Sequence, residues 1–99
     1  MYTIIDRRTI NQERLPETTE RAEREYFPKL QAAPGFSGFY LVADEGSDLF
    51  VGITVWESKS AADAFEASMS GWLQVLEELG HNGQTADRGE VVIELQPQR

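Results

Sequence analysis

The sequence predicts an α+β domain of ferredoxin-like βαββαβ order, with an antiparallel sheet whose second face is covered by another copy of the chain. Three observations predict it. Strand-like and helix-like periodicities alternate in that order along 99 residues, a polar turn joins the two middle strands, and those strands are apolar on both faces.

Tyr2 to Ile10 is rich in β-branched and aromatic residues and reads as the first strand. From Gln12 to Ala33 the pattern becomes helical, with Leu15, Thr19, Ala22, Tyr26, Leu30 and Ala33 on one stripe. On the opposite side Glu17–Arg21, Glu20–Arg24 and Glu25–Lys29 each set an acid four residues before a base, the favourable order on a solvated helix face. Pro16 suits a first helical turn. Pro28 lacks the backbone donor that a helix interior needs, so a bend is expected between Arg24 and Pro28, and Pro34-Gly35 stops the helix.

Gly38 to Ala43 reads as the second strand, Asp44-Glu45-Gly46-Ser47-Asp48 as a turn, and Leu49 to Trp56 as the third strand. Ser58 or Ser60 can cap the second helix, Ser60 having Asp63 three positions on. Phe65, Met69, Trp72, Leu76 and Leu79 form its inward stripe, Ser70-Gly71 interrupts it, and Gly80 ends it. His81 to Gly89 then reads as a polar loop and Glu90 to Leu95 as the last strand, before the tail Gln96-Pro97-Gln98-Arg99. Residues 1–99 are expected to form a single domain.

Successive side chains of a strand point to opposite faces, so a sheet with one wet face alternates apolar with polar residues. Here Leu49, Val51, Ile53 and Val55 occupy one face of the third strand, while Phe50, Gly52, Thr54 and Trp56 on the other carry no charge. Phe39, Leu41 and Ala43 against Gly38, Tyr40 and Val42 repeat the pattern, as do Val91, Ile93 and Leu95 against Val92. Two helices of a βαββαβ chain cover only one face, so a sheet-to-sheet homodimer is expected.

Composition narrows the function classes. The chain has no cysteine, which removes disulfides, thiolate nucleophiles and cysteine-based metal sites. A net charge of −8 opposes binding to nucleic acid or to anionic membrane surfaces. No apolar run approaches bilayer-spanning length and no secretory signal pattern opens the sequence, so a soluble, cytoplasmic protein is expected. A single histidine with no cysteine predicts no metal site. Nucleotide fingerprints, phosphate-binding glycine loops and Ser-His-Asp arrangements are not found.

The order of elements, Pro34-Gly35-Phe36 after the first helix, and Ile53-Thr54-Val55-Trp56-Glu57-Ser58-Lys59-Ser60-Ala61 leading into the second resemble the antibiotic biosynthesis monooxygenase branch of the dimeric α/β barrel superfamily. The resemblance covers nearly the whole chain and implies two sheets packed as a dimeric barrel. Its motifs specify fold better than activity, since members include cofactor-free quinol or anthrone oxygenases and haem-degrading monooxygenases. Counted from Thr54-Val55-Trp56, the haem degraders' asparagine, tryptophan and axial histidine positions fall on Arg7, Phe65 and Val75. Valine cannot ligate iron, so haem would need His81 from the following loop.

For a cofactor-free oxygenase the resemblance implies a pocket between sheet and helices, where a deprotonated, electron-rich aromatic reacts with oxygen. His81, the only side chain titrating near neutrality without a large shift, is the candidate base. Arg7, on the strand face with Thr3 and Ile5, is the candidate anion clamp, and Arg8 is expected at the exposed strand end. Phe65, Met69 and Trp72 are the expected apolar walls of the ligand site, with Tyr26 offering a hydroxyl. The leading expectation is a cofactor-independent monooxygenase-like protein acting on or binding a small quinol- or phenol-type aromatic. The alternatives are a non-catalytic dimeric binding or stress-related module and, third, a haem-binding protein using His81.

Overall fold

The computed structural model describes residues 1–44 and 46–98. Glu45 of the predicted turn and Arg99 of the predicted tail lie outside the described residues. The elements are β1 (Tyr2–Thr9), a 3-10 turn (Gln12–Arg14), α1 (Leu15–Arg21), a π-helical turn (Ala22–Tyr26), α2 (Phe27–Ala32), β2 (Phe36–Ala43), β3 (Leu49–Trp56), α3 (Lys59–Ser68), α4 (Ser70–Glu78) and β4 (Gly83–Glu90). The strands form one antiparallel sheet in the order β2-β3-β1-β4, the expected α+β ferredoxin-like arrangement.

Pro28 accounts for the irregular first helical run. Its missing donor leaves the Arg24 carbonyl without its usual partner, and the turn just before it widens so that the Phe27 N–H bonds to the Ala22 carbonyl, five residues back. Ion pairs on this run differ from those expected: Glu17 pairs with Arg14 and Glu25 with Arg21, each base preceding its acid. The second run breaks at Met69, the residue before the expected Ser70-Gly71 interruption, and gives two helices.

Two glycines are required by contact or conformation. A Cβ on Gly35 (φ 79°) would lie 2.6 Å from the Ala61 Cβ, so this residue lets the entry to β2 press against α3. Gly80 (φ 87°) closes α4, with the His81 N–H bonding back to the Leu76 carbonyl at 2.8 Å.

The last strand is displaced from its expected position. Gly83–Glu90, expected mostly as loop, pairs with β1, whereas the apolar Val91–Leu95, expected as strand, is exposed and lies outside any strand. An edge strand with exposed side chains reads as polar, so Gln84-Thr85-Ala86-Asp87-Arg88 gives no apolar alternation although its backbone is paired. Arg88 holds β4 to α3 through Asp63 and Glu66 and donates to the Tyr2 hydroxyl at 2.8 Å.

Register fixes the two faces of the sheet. Tyr2, Ile4, Asp6 and Arg8 lie opposite Trp56, Thr54, Gly52 and Phe50, and these face the helices. Thr3, Ile5, Arg7 and Thr9, opposite Val55, Ile53, Val51 and Leu49, face away. The core has two clusters: Tyr2, Leu30, Trp56 and Ala62, and beside it Ala22, Met69, Trp72 and Leu76. No described helix is long and apolar enough to cross a membrane.

Candidate functional site

Between the helix-facing side of the sheet and the helices lies a cavity of about 290 Å³. Its walls are mainly apolar. Tyr26, Phe65, Met69 and Trp72, the four expected lining residues, all border it. The Tyr26 ring stacks on Trp72 at 5.3 Å with an interplanar angle of 8°, meets Phe39 edge-on at 6.1 Å and lies 6.1 Å from Phe65. These contacts lock the aromatic side chains of the wall against one another. The π-helical turn before Pro28 sets the position of Tyr26 in that wall, so an irregularity of the helix shapes the cavity.

The polar groups on the cavity come chiefly from β1. Asp6 and Arg8 sit two residues apart on the same strand face, with Arg8 Nε donating to Asp6 Oδ2 at 2.7 Å. Arg8 is 6% exposed and also donates through Nη1 to the His81 carbonyl at 3.3 Å. Its burial corrects the expectation of an exposed strand end. Tyr26 lies within the electrostatic reach of both: burial first, then the Asp6 carboxylate, push its phenol up to about 12, with Arg8 opposing. The hydroxyl therefore stays protonated and available as a donor at neutral pH.

The candidate base and clamp are not brought together. Arg7 is on the outward face and pairs with Asp87 at 2.5 Å, so it does not border the cavity. A strand reverses side-chain direction at every residue, and two adjacent arginines leave a one-residue ambiguity in the sequence; it is Arg8 that turns inward. His81 is fully buried behind the cavity rather than on it. Its Nδ1 accepts the Asn11 N–H at 3.1 Å, and its Nε2 lies 2.6 Å from the Thr18 hydroxyl, which donates to the Arg14 carbonyl at 3.0 Å. This pattern requires a neutral ring protonated on Nε2. Burial, the largest influence, holds the His81 pKa below its ordinary value.

Haem ligation through His81 does not fit these residues. Iron would have to displace either Asn11 or Thr18 from a ring whose two nitrogens are engaged and which does not border the cavity. Nor do the described residues contain a cluster of three or more His, Cys, Asp or Glu side chains able to hold a metal ion.

The Asp6–Arg8 pair is the main feature of this site that sequence reasoning missed. Two oppositely charged residues at i and i+2 in a strand with apolar neighbours were a usable signal, because a buried charge needs its partner on the same face.

Comparison with known proteins follows the same lines. Residues 1–70 match the family model described as antibiotic biosynthesis monooxygenase. Among solved structures, a Deinococcus radiodurans protein described as a candidate antibiotic biosynthesis monooxygenase superposes with a TM-score of 0.81 at 11% identity, covering 100% of both chains. A Streptomyces coelicolor monooxygenase in complex with nanaomycin D gives 0.77 at 14%, covering 98% of this chain and 92% of that one. A haem degrader from Mycobacterium tuberculosis, with two haems in its active site, gives 0.64 at 22%, covering 97% and 100%. At such identities these likenesses show the fold. No curated protein sequence matches.

Proposed function

The chain belongs to the antibiotic biosynthesis monooxygenase family, and we propose that its cavity binds a small phenol- or quinol-type aromatic and oxidises it with dioxygen, without a cofactor. The observation that carries this reading is the placement of the part-buried Asp6–Arg8 pair and the Tyr26 side chain on a mainly apolar cavity with aromatic walls. Aromatic, mainly apolar walls suit an aromatic ring. Asp6 accepts the ligand's hydroxyl proton, and Arg8 and Tyr26 face the phenolate that results. One oxygen atom of dioxygen bonds to a ring carbon that loses hydrogen, and the other leaves as water. A phenol thus becomes a quinone as dioxygen takes up four electrons. The engagement of both His81 nitrogens favours this over haem degradation, and the same fold is found in the Streptomyces coelicolor monooxygenase solved with nanaomycin D.

The test is binding of 1-naphthol, followed by Trp72 emission in a Trp56→Phe background. Trp56 also borders the cavity, so each variant is compared with the Trp56→Phe protein itself; the Nε1 donor that this change removes is buried with no hydrogen-bond partner among the described residues. Arg8→Ala is expected to weaken binding by about 10- to 100-fold, the range for losing a charge-assisted bond, and Arg7→Ala to leave it unchanged. Oxygen uptake with the same compound, lost in Asp6→Asn, supports turnover; saturable binding without uptake reduces the protein to a binding module. Equal effects of Arg7→Ala and Arg8→Ala would place the ligand elsewhere.

The functional unit we propose is a homodimer closed through the outward sheet face. Ile5, Val51, Ile53 and Val55 lie together there, and the described chain covers none of them with a helix.

A further inference from the structure

We propose that Gly52 is a specificity-determining residue: the hydroxyl-bearing ring of the ligand lies on the β3 backbone there, in the space a side chain would fill, and that space sets how large a ring system the cavity admits. The inference rests on the aromatic-ligand reading and specifies where in the cavity the ring sits.

Nothing in the fold requires glycine at this position. Gly52 interrupts the β-branched run Val51-Gly52-Ile53-Thr54-Val55 in β3, which pairs with both β1 and β2, and glycine weakens the interior of such a strand. Three structural demands keep a glycine in a strand: a positive φ, a bulge, or the close approach of another segment. None applies. Positive φ values fall at Gly35, Gly46 and Gly80. The pairing of β3 with β1 runs without a shift from Leu49 to Trp56, and the shift in its pairing with β2 lies between Phe36 and Gly38. A Cβ added at Gly52 would find the Asp6 carbonyl oxygen at 4.0 Å as its nearest neighbour, ordinary van der Waals contact, whereas one at Gly35 or Gly80 would lie 2.6 or 2.7 Å from another residue.

What lies over Gly52 is the cavity. Gly52 is the only glycine on its walls among the described residues, and it is the middle of a floor in which Phe50 and Thr54 stand on either side along β3, their Cα atoms about 13 Å apart. Across the sheet Gly52 is paired with Asp6 on β1 and Leu41 on β2, and both also border the cavity. Directly opposed side chains of an antiparallel pair stand about 5 Å apart. A ring resting in the place of the Gly52 side chain therefore has one edge beside Asp6, with Arg8 one row further along β1 and bonded to that carboxylate. Leu41 bounds the other edge. The same depression thus seats the ring and directs its hydroxyl toward the Asp6–Arg8 pair.

Binding of 1-naphthol and of phenol, followed by Trp72 emission in the Trp56→Phe background, tests this. Gly52→Ala is expected to weaken 1-naphthol about tenfold and Gly52→Val about 100-fold, the effect of methyl groups added to filled space. Phenol, with one ring, should lose less, so the preference for 1-naphthol over phenol falls. Thermal unfolding of Gly52→Ala in the otherwise unaltered chain should come at or above the wild-type temperature, because alanine suits this backbone. A lower midpoint would show that the fold itself needs glycine here and would overturn the inference, as would unchanged 1-naphthol affinity in a folded Gly52→Val protein. Equal losses for phenol and 1-naphthol would show that the space does not select ring size. A chain with Gly52 intact that binds neither compound would instead remove the aromatic-ligand reading on which the inference rests.

Discussion

His81 shows how a chemically suggestive residue becomes a structural one. The neutral ring joins the segment after α4 to Asn11 and Thr18 and lies T-shaped to the Phe50 ring, with centroids 5.8 Å apart. Removing it leaves a hole and an unpaired Asn11 donor, so His81→Ala should lower stability by about 2–4 kcal/mol, read from denaturant unfolding. The pH dependence has a definite sign. Because burial and the nearby Arg8 and Arg14 hold the folded pKa below the ordinary 6.5, the unfolded chain binds more protons as pH falls below that value. The contribution is therefore whole above pH 6.5 and is lost as pH falls through the folded value. Wild-type stability should fall below pH 6.5 by a component absent from His81→Ala; parallel pH profiles for the two would show that the ring is not held neutral.

At the scale of elements, the choice between two capping serines tests how local interactions define helix ends. Ser58 Oγ accepts the Ala61 N–H at 3.2 Å, whereas Ser60 lies inside α3 and touches the Ser58 hydroxyl at 3.1 Å. Ser58→Ala is expected to cost about 1 kcal/mol and Ser60→Ala much less; equal losses in thermal unfolding would mean that the serine pair caps jointly. Sequence periodicity located β1, β3 and both helical runs because each presents an apolar face to the core. It misplaced β4 because Gly83–Glu90 is held by backbone pairing and by Arg88 rather than by buried side chains. The apolar Val91–Leu95 mimicked a strand for the opposite reason, since its pattern records a surface that needs covering. Within the site, helical spacing found Tyr26, Phe65, Met69 and Trp72, whereas Arg7 and Arg8 differ by one residue of register, which spacing alone does not resolve.

For the whole molecule, the outward sheet face is the surface on which the proposed homodimer rests. Across β1 and β3 it carries Ile5, Val51, Ile53 and Val55, with Tyr40 and Val42 of β2 extending it and the Arg7–Asp87 ion pair bounding it toward β4. Contiguous apolar surface of this kind is uncommon on a monomer, and covering it adds stability that a chain of 99 residues does not generate in surplus. Ile53 is at the middle of this face, paired with Ile5 on one side and Tyr40 on the other. In the proposed dimer Ile53→Asp would bury an unpaired carboxylate between two sheets, which is unfavourable by several kcal/mol, enough to raise the dimer Kd by about 100-fold or more. Light scattering should then give twice the chain mass for the wild type at micromolar concentration and the single mass for Ile53→Asp, with far-ultraviolet dichroism retained. Arg7→Ala, at the charged margin, should leave the wild-type mass unchanged, because an ion pair that remains partly solvated contributes at most about 1 kcal/mol. A wild-type chain that is monomeric with its full secondary structure would mean that the apolar outer face serves some purpose other than self-association.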